Sequence, residues 1–228
     1  MGKKLKAEDL EQDLLIEYSS RFLYFYQTNK AVVWGGGIGL VLAIGLIIGF
    51  FVYSAQQEDQ AQELLGIAEQ SFLIGNYSTA LNGSDADFTL GFVQIANNYG
   101  RTSAGNLANY YAAVSEFELG NYESALDFIK QFSVPSGIIG VSPITLHANI
   151  LLELERYEDA ARMFVRAAEW DVNNSTTPTN LFSAAEAYHE AGLTNNAQSL
   201  VDRILSDYPS SPTANRAQRL RGLIASNS

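Results

Sequence analysis

The sequence predicts an all-α chain in which a single N-terminal transmembrane helix is followed by a solenoid of helical hairpins. Three observations carry this. Residues 31–53 run AVVWGGGIGLVLAIGLIIGFFVY without one charge. The remainder shows helical apolar periods broken by short Gly/Asn turns, and one eight-residue pattern occurs four times along it. The predicted organisation is a cytoplasmic amphipathic segment over 1–30, a signal-anchor helix over 31–53 and an exported repeat domain over 54–228.

The anchor is justified by length and flanks. As a helix, 23 residues span about 34 Å, against a hydrocarbon core of about 30 Å. Lys30 and Trp34 mark one interface and Tyr53 the other. A cleaved signal peptide is the competing reading, but thirty residues precede the apolar run and no clear small-x-small cleavage site follows it. Orientation follows from basic residues, which resist export: Lys3, Lys4, Lys6, Arg21 and Lys30 lie before the span, and none follows it until Arg101. A cytoplasmic N-terminus and a periplasmic C-terminal domain are therefore expected, as in a single-pass protein of a bacterial inner membrane. Within the span, Gly35, Gly39 and Ala43 fall four apart, as do Gly45 and Gly49, so two small faces are offered to another helix. The triplet Gly35-Gly36-Gly37 has no Gly-Lys-Ser/Thr after it and is not a phosphate loop.

Ahead of the anchor, Leu10, Leu14, Tyr18, Phe22 and Phe25 recur at helical spacing, with Glu8, Asp9, Glu11 and Asp13 gathered where a helix N-terminus tolerates negative charge. The aromatic cluster from Phe22 to Tyr26 suits an interfacial anchor or a docking surface for a membrane partner.

Beyond the anchor, IGNYSTAL (Ile74 to Leu81) recurs as LGNYESAL (Leu119 to Leu126), LERYEDAA (Leu154 to Ala161) and AGLTNNAQ (Ala191 to Gln198). Gly75, Gly120, Glu155 and Gly192 hold the turn position, where a residue lacking Cβ takes positive φ most readily. Small residues then let two helices approach: Ala112, Ala113, Ala148, Ala184 and Ala185 in the first helices, and Ala80, Ala125, Ala160 and Ala197 in the second. Tyr77, Tyr122 and Tyr157 fill the space beside the turns. Between the first two turns, Asn82 to Asp87 reads as an insertion loop, after which an apolar period from Phe88 to Tyr99 predicts renewed helix. A second echo pairs IANNYGRTSAGNLA (Ile95 to Ala108) with ILSDYPSSPTANRA (Ile204 to Ala217) at a constant offset of 109. The last helix, Thr213 to Ser226, carries Arg216, Arg219 and Arg221 as a polar cap.

These residues resemble the tetratricopeptide repeat over roughly 61–209. Glu155 in place of glycine, Leu193-Thr194 without a tyrosine and a closing proline only at Pro209 depart from its pattern. The resemblance implies a groove lined by the first helices: Leu65, Glu69 and Phe72; Tyr110, Val114, Phe117 and Glu118; Asn149, Leu152 and Glu153; Phe182, Glu186 and His189. Such a lining suits extended protein segments with apolar and basic side chains. The alternative is that its aromatic rings are interhelix core and its acids solvated surface.

Composition narrows the function classes. With 14 Lys+Arg against 25 Asp+Glu, the formal net charge is −11, which argues against nucleic acid held through phosphates. No cysteine is present, which removes disulfides, thiolate zinc and cysteine nucleophiles. His147 and His189 lack the spacing of metal-ligand pairs, and Glu116 and Glu118 are isolated carboxylates rather than an acid/base pair. No catalytic residue, cofactor or metal is expected. The layout as a whole, with the runs GFVQIANNYGRTSAGNLANYYAAVSEFELGNYESAL and TTPTNLFSAAEAYHEAGLTNNAQSLVDRILSDYP, resembles the ancillary subunit family of the bacterial SecYEG translocon. That resemblance implies translocon subunits, a membrane-anchored periplasmic chaperone or exported chains as partners. A periplasmic scaffold for envelope assembly or cell division, and a homo-oligomer formed through the glycine faces, are the alternatives.

Overall fold

The computed structural model describes residues 7–226, with side chains described from Tyr18 onward. Lys3, Lys4 and Lys6, which weigh most in the orientation argument, lie outside the described residues, as do the side chains of Leu10, Leu14 and the four early acids. The described elements are helical apart from two two-residue strands. Helix α1 covers Ala7–Thr28 and α2 Lys30–Leu73, followed by α3 Tyr77–Asn82, β1 Gly83–Ser84, β2 Thr89–Leu90 and α4 Phe92–Asn98. Then come α5 Ser103–Glu118, α6 Tyr122–Gln131, a 3-10 turn Ile138–Gly140, α7 Val141–Glu153, α8 Tyr157–Trp170, α9 Thr177–Glu190, α10 Thr194–Asp207 and α11 Ala214–Ser226. Two compact units divide between Gln56 and Gln57.

In the first unit, Asn29 ends α1 and starts α2: its N–H donates to Phe25 O and its carbonyl accepts from Val33 N at 3.1 Å. The side chains of Thr28 and Asn29 donate back to Tyr24 O and Phe25 O, so the break keeps its polar groups satisfied. Beyond it, α2 is long and apolar enough to cross a membrane, and none of its most apolar stretch is buried within the protein. Trp34, Leu46 and Phe51 are each more than 60% exposed. Apolar surface of this extent in water is strongly unfavourable, whereas in lipid a helix satisfies its own backbone.

The second unit begins with the rest of α2, where Ala61, Leu65 and Ala68 are buried at helical spacing. From α3 onward each helix packs on its sequence neighbours. The four turns are built alike. Gly75, Gly120 and Gly192 sit at φ +78°, +78° and +73°, and Glu155 reaches +57°. At each, the positive-φ residue donates to the carbonyl three residues back, and the next residue donates to the carbonyl five back: Gly120 N to Phe117 O at 3.0 Å with Asn121 N to Glu116 O at 2.8 Å, and Glu155 N to Leu152 O at 2.9 Å with Arg156 N to Leu151 O at 2.8 Å. This paired bonding satisfies carbonyls that the helix end leaves open. Glutamate thus holds the glycine conformation at some steric cost.

All nine alanines expected at the helix contacts are fully buried. They take part in three apolar clusters, whose largest fully buried members include Phe92 and Ile95 in the first, Leu126, Ile150 and Phe164 in the second, and Leu181, Val201 and Ile204 in the third. Phe128 borders the first and second clusters, and Tyr188 and Leu200 border the second and third. The echo at offset 109 appears in the backbone too: Thr102 N donates to Tyr99 O, and Ser211 N to Tyr208 O.

The insertion corrects one expectation. Helix does not resume at Phe88. Gly83 pairs with Leu90 and Ser84 with Thr89 in a short antiparallel hairpin, Phe88 stands at φ +55° and 95% exposed, and helix begins only at Phe92. The reason is a close approach of backbones. A Cβ on Gly83 would lie 2.2 Å from Thr89 O, and one on Gly91 would lie 2.3 Å from Leu81 O. Gln94 secures the junction, its side chain accepting from Gly91 N at 2.9 Å and donating to Asn82 O at 2.8 Å.

Candidate protein-binding groove

The residues expected to line a groove separate by burial. Leu65 and Phe182 are 6% and 4% exposed and belong to the core; neither offers a surface, because the apolar face of each helix is taken up by its neighbours. Phe72 packs edge-on against Tyr77, Phe92 and Tyr111. Tyr110 lies against Phe132 and Phe117 against Tyr122, and Tyr110, Phe117, Phe132 and Leu152 border the middle cluster. For these six positions the interhelix alternative describes the contacts.

Two of the acids act on tyrosines. The Tyr111 phenol is pushed up by burial and then by the Glu69 carboxylate. Glu153 raises Tyr122 chiefly by its charge. Glu186 lies 3.6 Å from Arg216, whose guanidinium sits 4.2 Å from the Phe182 ring centroid. Partial desolvation holds the Glu186 carboxyl above its usual range, with Glu190 adding and Arg216 opposing. One residue of α11 thereby covers both a predicted groove ring and a predicted groove acid, which fits a capping helix. His189 is half-buried with Nδ1 unpartnered. Val114 is half-buried and Glu118 exposed.

Of the predicted residues, Asn149 lines an open cleft, of about 330 Å³, between α7 and α9. Val141, Thr145 and Asn149 rise at four-residue spacing along one face of α7. Thr176, Thr179 and Asn180 oppose them. Thr145 Oγ1 is shared between Val141 O at 3.0 Å and Asn180 Oδ1 at 2.9 Å, and Asn180 Nδ2 donates to Thr176 O at 3.0 Å. Asn180 is only 5% exposed, so this bond fixes the cleft floor. The cleft is neutral, small-residue and amide-rich, with groups that both donate and accept.

Sequence reasoning missed Thr145, Thr176, Thr179 and Asn180. The available signal was the polar pair Thr145 and Asn149, four residues apart on α7. No protein-family model, no curated protein and no solved structure matches this chain.

Proposed function

We propose that the protein is a non-catalytic, membrane-anchored interaction module of the tetratricopeptide type. In this reading it crosses a bacterial inner membrane once, with a cytoplasmic N-terminus and a periplasmic C-terminal domain, and serves as an accessory of the Sec translocon that assists exported chains in a chaperone-like way. The observation that carries it is the repetition of one turn geometry at Gly75, Gly120, Glu155 and Gly192, the last three joining helices that pack on each other through fully buried alanines. Stacked helix pairs of this kind present side chains of successive first helices to one groove. The α7–α9 cleft lies between two such first helices, and its amide and hydroxyl groups suit the backbone of an extended segment, which needs donors and acceptors alternately. The exposed apolar half of α2 supports the anchor.

Purification of the full-length protein from its own cells in mild detergent, with mass spectrometry of co-purifying proteins and a control lacking residues 1–53, tests the reading. Enrichment of translocon subunits only when the anchor is present is the expected result. Recovery of envelope-assembly or division proteins, equally well without the anchor, replaces the translocon role by a periplasmic scaffold.

Self-association through the span has one observation in its favour: a Cβ added to Gly35, Gly39, Gly45 or Gly49 meets nothing within 4 Å, so both small faces are open. Gly39→Leu together with Gly45→Leu weakens association if a helix docks there. Unchanged recovery of partners after that change makes the span a tether only.

A further inference from the structure

A second concavity lies between α6, α7 and α8, apart from the α7–α9 cleft. It is the more enclosed of the two, with a volume of about 300 Å³. Its wall is aromatic and its rim cationic: Phe132 and Trp170 face it with Met163 and His147, and Lys130 and Arg166 stand beside them. Ile144, 1% exposed, belongs to its floor.

Three features mark it as a built site rather than a gap between helices. First, the Trp170 ring is fixed: its Nε1–H donates to Pro135 O at 3.0 Å, and Gly140 leaves room for it, since a Cβ there would lie 2.3 Å from that nitrogen. The segment that supplies Pro135 is itself pinned, because Asn106 donates to Ser133 O at 3.1 Å and accepts from Ser133 N at 2.7 Å. Second, Arg166 lies 5.3 Å from the Trp170 centroid, where stacking on the ring holds the guanidinium at the rim. Third, the two cations have no carboxylate of their own. The salt bridges among the described residues engage Arg156, Arg162, Arg203, Arg216 and Arg221, but neither Lys130 nor Arg166. In a chain with net charge −11, a pocket with two uncommitted cations stands out. The field is felt inside: His147 is lowered to about 4, first by burial and then by Lys130, Arg166 and Arg156, with Asp159 opposing. The imidazole is thus neutral at pH 7 and free to hydrogen-bond an anion's oxygen.

We infer that this pocket binds an aromatic or branched apolar group carrying one carboxylate, with the apolar body against Phe132, Met163 and Trp170 and the carboxylate between Lys130 and Arg166. Charge complementarity argues for the anion, and the volume, at the low end for ligand sites, argues for a single side-chain-sized body. The same chemistry comes from a free carboxylic acid or from the C-terminal residue of a polypeptide. A guanidinium grips a carboxylate by two parallel bonds, which makes Arg166 the principal contact.

Trp170 reports on its own pocket. With Trp34→Phe in the anchor, Trp170 is the sole tryptophan of the full-length protein, which is placed in nanodiscs of zwitterionic lipid and titrated with 3-phenylpropionate, 3-phenylpropionamide, the peptide Gly-Gly-Phe and its C-terminal amide. Saturable change in Trp170 emission with an acid, at least tenfold weaker with its amide, is expected. The tighter of the two acids identifies the source. Arg166→Gln should weaken binding about tenfold and Arg166→Lys should restore part of it, with circular dichroism unchanged because Arg166 is exposed. Equal binding of acids and amides, no saturable change with either acid, or undiminished affinity in Arg166→Gln combined with Lys130→Gln overturns the assignment.

Discussion

The first and third turns start from phrases of one pattern, and their second helices diverge. After Gly75 the chain makes six residues of α3 and then breaks into a hairpin; after Glu155 it makes fourteen residues of α8 without interruption. The turn geometry is the same in both, so the turn does not set the length of the second helix. The difference lies downstream. Ala160, Ala161, Phe164, Ala167 and Ala168 keep a buried face along α8, whereas Ala80 and Leu81 are succeeded at once by Asn82-Gly83, where φ of +79° and a backbone 2.2 Å from an added Cβ exclude helix. A repeat is thus a turn plus a sustained apolar period, and each part can fail separately.

The sharpest probe of that period is Phe164→Ala. The ring is 1% exposed in the middle cluster, and its loss should cost about 3–5 kcal/mol, read as a lower midpoint in urea. Gly91→Ala probes the interrupted unit: the new methyl group meets backbone at Leu81 and Gly83, which cannot swing aside, and a cost of about 1–3 kcal/mol is expected. A loss below a few tenths would mean that the hairpin is not rigidly built. Smaller and opposite in sign is Glu155→Gly, which relieves a left-handed non-glycine residue and should stabilise by about 1 kcal/mol, while Gly120→Ala should destabilise by a similar amount. Equal effects of one sign would break the equivalence of the two turns.

Acid separates the same regions. His147, on α7, is lowered to about 4 from an ordinary 6.5; the unfolded chain takes up a proton first, so stability is full above 6.5 and declines as pH falls toward 4. Glu58, on α2, is partly desolvated, which raises it, but bonds from Gln62 and from Ser103 N and Ala104 N outweigh this and lower it below 4.5. Its contribution is present above 4.5 and is lost as pH falls through the folded value. Thermal melts of His147→Gln should therefore flatten the decline between 6.5 and 4, and those of Glu58→Gln only the decline below 4.5.

Much of the fold was legible because its signals are local. The turn phrases lie within eight residues, the alanines mark close helix contacts, and an uncharged run of 23 residues is unambiguous in length. The insertion was not, since Phe88, Phe92 and Ile95 fit a helical period that continues backward past its true start. What stops it is Gly83 meeting Gly91 across the hairpin, a contact between positions eight apart whose distance no period encodes. The groove was harder still. Tyr110 and Phe117 share the first-helix pattern of a lining, but their rings turn toward Phe132 and Tyr122. The cleft that does open rests on Thr145 and Asn180, thirty-five residues apart, and small neutral side chains give no contrast against their neighbours.

Whether the α7–α9 cleft receives polypeptide is decided by photocrosslinking. A benzophenone amino acid is placed at Asn149 in the cleft or at the exposed Glu158 on α8 in the full-length protein, and cells are irradiated. Protein adducts from position 149 and few from 158 are expected if the cleft is the receiving surface. Adducts from 158 with none from 149, or equal yields from both, would contradict that role.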